Sequence, residues 1–151
     1  MKEEIISEVK DKINYLLRSF SIAGEIIIKK SGENIVANIM TAKPEILIGK
    51  NGQTLLAIQM VIRAMVSRNL GEGEILTVDV EGYRQKHSDR LQIRAREAAI
   101  KVMASGEPEH LQPMTSYERR LVHLALADFN DISADSEGEG LSRHIVIKSK
   151  K

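Results

Sequence analysis

The sequence predicts an α+β protein built from two small helix-and-strand units. Three observations carry this. Apolar residues recur at helical spacing in some stretches and alternate as in strands in others, and the two periods succeed each other along the chain. A tight glycine turn, Gly49-Lys50-Asn51-Gly52, sits between two apolar segments. Gly82 then separates a strand from a second, helix-rich stretch. With 151 residues there is room for one ordinary domain or two small ones, and a hydrophobic share of 42% is enough for a core.

Residues 3–19 read as an amphipathic helix, with Ile5, Val9, Ile13, Leu16 and Leu17 on one side and Glu3, Glu4, Lys10, Asp11 and Lys12 on the other. Ser21 and Gly24 break it. Two stretches rich in β-branched residues follow, 25–29 and 34–40, joined by the turn cluster Lys30-Ser31-Gly32-Glu33, so a hairpin is expected. Pro44 starts a short helical segment that ends at Gly49. After the glycine turn, 53–69 reads as a long helix, apolar on more than one side through Leu55, Leu56, Ile58, Met60, Val61, Ile62, Met65 and Val66. Such breadth predicts burial against two neighbours. Residues 75–80 alternate as a strand.

The second stretch opens with a helix over 83–105. It carries Arg84, Lys86, Arg90, Arg94, Arg96 and Lys101 against Asp89 and Glu97, with Leu91, Ala95, Ala98, Ala99 and Val102 on its apolar side. A basic helix is most often a solvated face, and here it can also attract phosphate. Ser105 to Pro108 ends it, and the prolines extend 111–114. Thr115 with Glu118 forms a capping box that starts the next helix. Arg119 and His123, four apart, share a face of that helix, while Leu121, Leu124 and Ala125 are expected to face inward with Val122 or Leu126. Two strands, 132–138 and 143–147, close the chain.

Chemistry concentrates at the glycine turn. Two glycines three apart let the backbone be approached closely, and the helix that follows presents amides without intrahelical partners. With Lys50 these suit a phosphate. The turn is not an NTPase phosphate loop, because Asn51 stands where Ser or Thr is needed, and the spacing of a dinucleotide fingerprint is absent. It resembles the GxxG loop of a KH domain, which clamps the backbone of about four unpaired nucleotides. The element order helix, strand, strand, short helix, GxxG, helix, strand is similar to the bacterial (type II) KH fold. Likewise, an Arg–xxx–His pair on a helix followed by a hairpin resembles the Arg-three-His domain, a module for single-stranded nucleic acid.

Taken in order, GKNGQTL (49–55), DVEGYR (79–84), PMTSYERRLVH (113–123) and SEGEG (136–140) with Arg143 resemble the bacterial Jag family, also called KhpB or EloR. The resemblance implies a type II KH domain over 1–82, with helices on a three-stranded sheet. It implies an Arg-three-His domain over 83–151, with helices on a short mixed sheet. The family's amino-terminal Jag domain has no counterpart expected here, so roles that rest on it, at the membrane or in cell-wall and cell-shape regulation, are not implied. Gly49, Lys50, Asn51 and Gly52 would hold a phosphate backbone, with Ile48 and Leu55 lining an apolar groove for bases. Arg119 and His123, with Arg120 and Arg143 as neighbours, would form the second contact surface. The expected partners are single-stranded RNA, with single-stranded DNA as the alternative, and a small single-KH protein; a homodimer fits too.

Several classes are disfavoured. Without cysteine there is neither a disulfide framework nor a thiolate metal site. The histidines, 87, 110, 123 and 144, lack HxxxH or HExxH spacing, so no metal or other cofactor is expected. Asp79 and Glu81 alternate on a strand and could share a face as in a metal-dependent nuclease, but a solvated strand face is the plainer reading. The start of the chain is charged and no apolar run reaches about 18 residues, so a cytoplasmic protein without membrane insertion is expected. Aromatics at 3% argue against stacking-ring platforms, and a net charge of +1 means that attraction for a polyanion must come from local arrangement. The expectation is a non-catalytic RNA-binding regulator or RNA chaperone; the rival is a protein-interaction adaptor that dimerises through the KH surface.

Overall fold

The computed structural model describes residues 2–150. Met1 and Lys151, the outer limits of the two expected domains, lie outside the described residues. The chain forms two compact units that divide between Arg84 and Gln85, inside the first turn of a helix.

The first unit is a mixed three-stranded sheet with helices on one face. Helix α1 (Lys2–Ser19) buries Ile5, Val9, Ile13 and Leu17, the stripe that a 3.6 period requires. Strands β1 (Gly24–Ser31) and β2 (Asn34–Thr41) form a hairpin closed by Gly32 and Glu33, with Gly32 at φ 59°. Strand β3 (Ile75–Val80) runs parallel to β2, giving the order β1-β2-β3. The register aligns Ile26 with Ile39, Ile35 with Leu76 and Ala37 with Val78, so one face of the sheet is continuously apolar. Between β2 and β3 the chain crosses over that face through α2 (Pro44–Ile48) and α3 (Gln53–Val66), adding Leu47, Leu55, Ile58, Ile62 and Val66 to the core.

The breadth of α3 is not matched by burial. Leu56, Met60, Val61 and Met65 are exposed, Met60 to 65%. The helix has one sheet to pack on, and among the described residues its second apolar side is not covered within the unit. It also ends at Val66, with 67–69 as a turn.

In the second unit α4 (Tyr83–Ser105) buries Ala95, Ala99 and Val102. Strand β4 (Glu109–His110), not expected from the sequence, pairs with β6 (His144–Ser149), which pairs on its other side with β5 (Ile132–Glu137). Both pairings are antiparallel, so the mixed pairing belongs to the first sheet and not to this one as expected. The antiparallel result follows from a hairpin joining β5 to β6 and from β4 entering after a proline-bounded reversal. Helix α5 (Ser116–Ala125) packs Val122 and Ala125 inward with the following Leu126, against Ile132, Ile145 and Ile147. Leu124, expected inward, is 63% exposed, because the buried line runs 122, 125, 126 and leaves 124 on the opposite side.

Candidate nucleic-acid interface

The glycine turn is built by backbone conformations that few residues accept. Gly49 lies at φ 70°, ψ −174°, Asn51 at φ 53°, ψ 28° and Gly52 at φ 76°, ψ 12°. A Cβ on Gly49 would sit 2.0 Å from Thr54 Oγ1 and 2.7 Å from Thr54 Cβ, so the turn folds directly onto the first turn of α3. A Cβ on Gly52 would lie 2.8 Å from Cε1 of Tyr83. Tyr83, half-buried against the first core, therefore backs the loop from outside it. Sequence reasoning missed that contact; only the adjacency of Tyr83 to the strand end hinted at it.

The loop's amides divide into two kinds. Gly49 N–H donates to Glu45 O at 2.9 Å, closing α2, and Gly52 N–H donates to Gly49 O at 3.4 Å. Among the described residues, the N–H groups of Lys50 and Asn51 have no such acceptor, and both residues are exposed. The turn thus offers two amides and one ammonium, fewer than four residues suggested. Ile48 is half-buried and has surface beside the turn. Leu55, expected to line a groove, is 2% exposed and lies in the core, because the first inward position of α3 faces the sheet.

The acidic pair considered for a metal is committed elsewhere. Asp79 Oδ1 accepts from Val80 N at 2.9 Å and Arg84 N at 3.4 Å, and Glu81 Oε1 accepts from Thr41 N at 2.7 Å. Among the described residues no cluster of three metal-ligating side chains occurs.

In the second unit the capping box is complete: Thr115 Oγ1 accepts Glu118 N–H at 3.3 Å, and Thr115 N–H donates to Glu118 Oε2 at 2.7 Å. The other carboxylate oxygen of Glu118 meets His87 Nε2 at 2.6 Å. Burial pushes the Glu118 carboxyl upward, but the Thr115 amide, His87 and the Thr115 hydroxyl outweigh it and hold it below its usual range. Arg119 donates from Nη1 to Met114 O at 2.8 Å and from Nη2 to Ser116 Oγ at 3.2 Å; among the described residues it forms no ion pair with Glu118. His123 Nε2–H donates to Ala134 O at 2.9 Å, on β5. Arg143 donates from Nε to Ser136 Oγ at 2.8 Å, two residues along the same strand, and its carbonyl accepts Met114 N–H at 3.1 Å. The peptide of Met114 and strand β5 thereby gather Arg119, His123 and Arg143; Arg120 stands exposed beside Arg119 without a bond to them. On the outward face of the sheet Lys148 is neutralised instead. It bonds Glu137 at 2.6 Å, which raises the lysine and lowers the carboxyl, with Asp135 at 3.9 Å.

Comparison with known proteins places these features. The family model of the Arg-three-His domain matches residues 89–149. The RNA-binding protein KhpB of Bacillus subtilis is 30% identical over 152 residues, covering 99% of this chain and 73% of that protein. The chain belongs to the KhpB family. A KhpB of Clostridium symbiosum is 35% identical over 106 residues, and one of Lactiplantibacillus plantarum 26% over 149. The chain spans 48% and 46% of those two relatives, about half their length. Within this KhpB-family chain the Arg-three-His match contains Arg119, Arg120, His123 and Arg143. The turn at 49–52 falls outside it and is covered by the whole-chain similarity to the Bacillus protein.

Proposed function

We propose that this chain binds single-stranded RNA through two linked contact sites and acts by binding, not by catalysis. Residues 1–82 act as a type II KH domain and 83–151 as the Arg-three-His domain. The observation that carries the reading is the exposed left-handed turn at Lys50 and Asn51, whose two open amides and one ammonium face solvent beside Ile48. Such a turn suits the sugar–phosphate chain of an unpaired strand. Arg119, His123, Arg120 and Arg143 supply the second site, where guanidinium groups still have donors to spare for phosphate. Linking two weak sites raises overall affinity through effective concentration. A post-transcriptional regulator or RNA chaperone in the cytoplasm fits this chemistry, and no helix of the described residues is long and apolar enough to cross a membrane.

A second reading has its own observation: the exposed face of α3, Leu56, Met60, Val61 and Met65, is suited to pairing with another copy or with a small single-KH partner. It is compatible with RNA binding, since the turn lies at the end of that helix.

The test is binding of unstructured RNA against matched duplex at two salt concentrations. Single-strand preference is expected. Lys50→Asp with Asn51→Asp should weaken binding severely with the fold intact, and Arg119→Ala with His123→Ala should weaken it less. Unchanged affinity in the first variant removes the turn from the account; unchanged affinity in the second makes that surface structural.

A further inference from the structure

The basic residues of α4 are not equivalent. Arg84 is committed to its own unit: Nε donates to Val78 O at 3.3 Å and Nη2 to Gln59 Oε1 at 2.8 Å. Lys101 is paired with Glu109 at 2.7 Å. Arg96 lies with Asp89, Gln92 and Ile93 along a shallow groove. Lys86, Arg90 and Arg94 remain. They are exposed, and among the described residues their side chains have neither ion pair nor hydrogen bond.

These three stand at i, i+4 and i+8, so they form one row along the helix. Successive rungs are about 6 Å apart along the axis, close to the step between neighbouring phosphates of an extended strand. His87, which meets Glu118 at the start of α5, is three residues before Arg90 and seven before Arg94, hence on the adjoining face. The row therefore flanks the side of α4 that meets the first turn of α5, the turn that carries Arg119. Glu97, three residues beyond Arg94, ends the positive row with a negative charge.

We infer that Lys86, Arg90 and Arg94 form a third contact, a phosphate ladder that tracks about three nucleotides of a single strand next to the Arg119 surface. The inference rests on the RNA-binding reading and adds a site to it. The ladder binds charge and not base edges, so its contribution is independent of base sequence. It carries a number: each phosphate neutralised on a single strand adds about 0.7 to the slope of log affinity against log salt. Three rungs contribute about 2, so a fourfold rise in salt costs the wild type roughly 20-fold more affinity than a chain without them.

The experiment measures that slope on the full chain with a labelled, unstructured oligouridine. Lys86→Ala, Arg90→Ala and Arg94→Ala together should flatten it by about 2, and Arg94→Ala alone by about 0.7. Arg96→Ala, which removes the same charge from the far side of the same helix, should leave it unchanged. Arg90→Lys with Arg94→Lys should keep the wild-type slope, which separates charge from helix integrity should the triple variant fail to fold. Equal effects of Arg94→Ala and Arg96→Ala, or no change in either, overturn the ladder. If binding then still depends on Lys50, the two-site reading survives; if the wild type does not bind the oligonucleotide at all, both fall.

Discussion

Gly49→Ala tests how the turn is held. Two independent costs meet at this position. The backbone pair φ 70°, ψ −174° belongs to a region that is essentially for glycine alone, worth about 1–3 kcal/mol. The new Cβ would also stand 2.0 Å from Thr54 Oγ1 and 2.7 Å from Thr54 Cβ, an overpacking of about 1–3 kcal/mol because Thr54 is held in the first turn of a helix. Together they come to about 4 kcal/mol. Gly52→Ala is the internal comparison. Its φ 76°, ψ 12° is ordinary left-handed helix, costing about 1–2 kcal/mol, and the obstacle is the edge of the Tyr83 ring, which can swing. A gap of about 2 kcal/mol is a factor of about 30 in the opening equilibrium. Native-state hydrogen exchange of the β1, β2 and β3 amides reads that equilibrium in the first unit alone. Gly49→Ala with Thr54→Ala should recover part of the loss, since the hydroxyl contact goes and the strained dihedrals stay. The reasoning is refuted if Gly49→Ala costs no more than Gly52→Ala.

Thr115→Ala breaks the capping box and should cost the second unit about 1 kcal/mol, read by urea unfolding. The Glu118 carboxyl is held below its usual value of 4.5 in the folded chain, so the unfolded chain takes up its proton first as pH falls. Its contribution is full above about pH 4.5 and is lost as pH falls through the lower folded value; Glu118→Gln should flatten the acid limb of a stability–pH curve in that window. Met60→Glu, on the exposed side of α3, should shift a self-associating chain toward monomer in sedimentation while leaving its thermal unfolding within about 0.5 kcal/mol of the wild type.

What the sequence made legible was whatever a local period or cap controls. Strand β3 and helix α4 run as the alternation at 75–80 and the alanine spacing at 95 and 99 predict, and Thr115 caps α5 through the Glu118 pairing that its spacing announces. What it hid depends on long-range partners. A two-residue strand such as β4 has no period to detect, so Glu109 and His110 came into view only by pairing with Ile147 and Val146. Periodicity marked α3 as apolar all round but could not say whether a second neighbour existed; the exposure of Leu56 and Met60 shows that among the described residues of the unit none covers them. At the turn, the exposure of Lys50 and Asn51 follows from tight-loop geometry, whereas the depth of Leu55 and the ring behind Gly52 depend on residues far along the chain. The Arg119–His123 spacing gave the shared face, but not that both would be oriented by main-chain carbonyls.

A chain with net charge +1 has no global field to gather a polyanion, so the disposition of each cation decides. Three lysines are cancelled at short range, Lys30 by Glu74, Lys101 by Glu109 and Lys148 by Glu137. Arg119 and Arg143 are treated differently. Their partners are a carbonyl and serine hydroxyls, neutral acceptors that fix the guanidinium planes and leave the full charge outward. A guanidinium oriented by neutral oxygens has already lost rotamer freedom, so less is lost when phosphate arrives. At physiological salt the screening length is about 8 Å, which confines each such charge to direct contact. Local, oriented, uncancelled cations thus give a surface that grips a strand it touches and does little to attract one from a distance. The consequence is kinetic: removing Arg119 should raise the dissociation rate far more than it lowers the association rate, and the opposite split would mean that steering, not contact, is what that arginine provides.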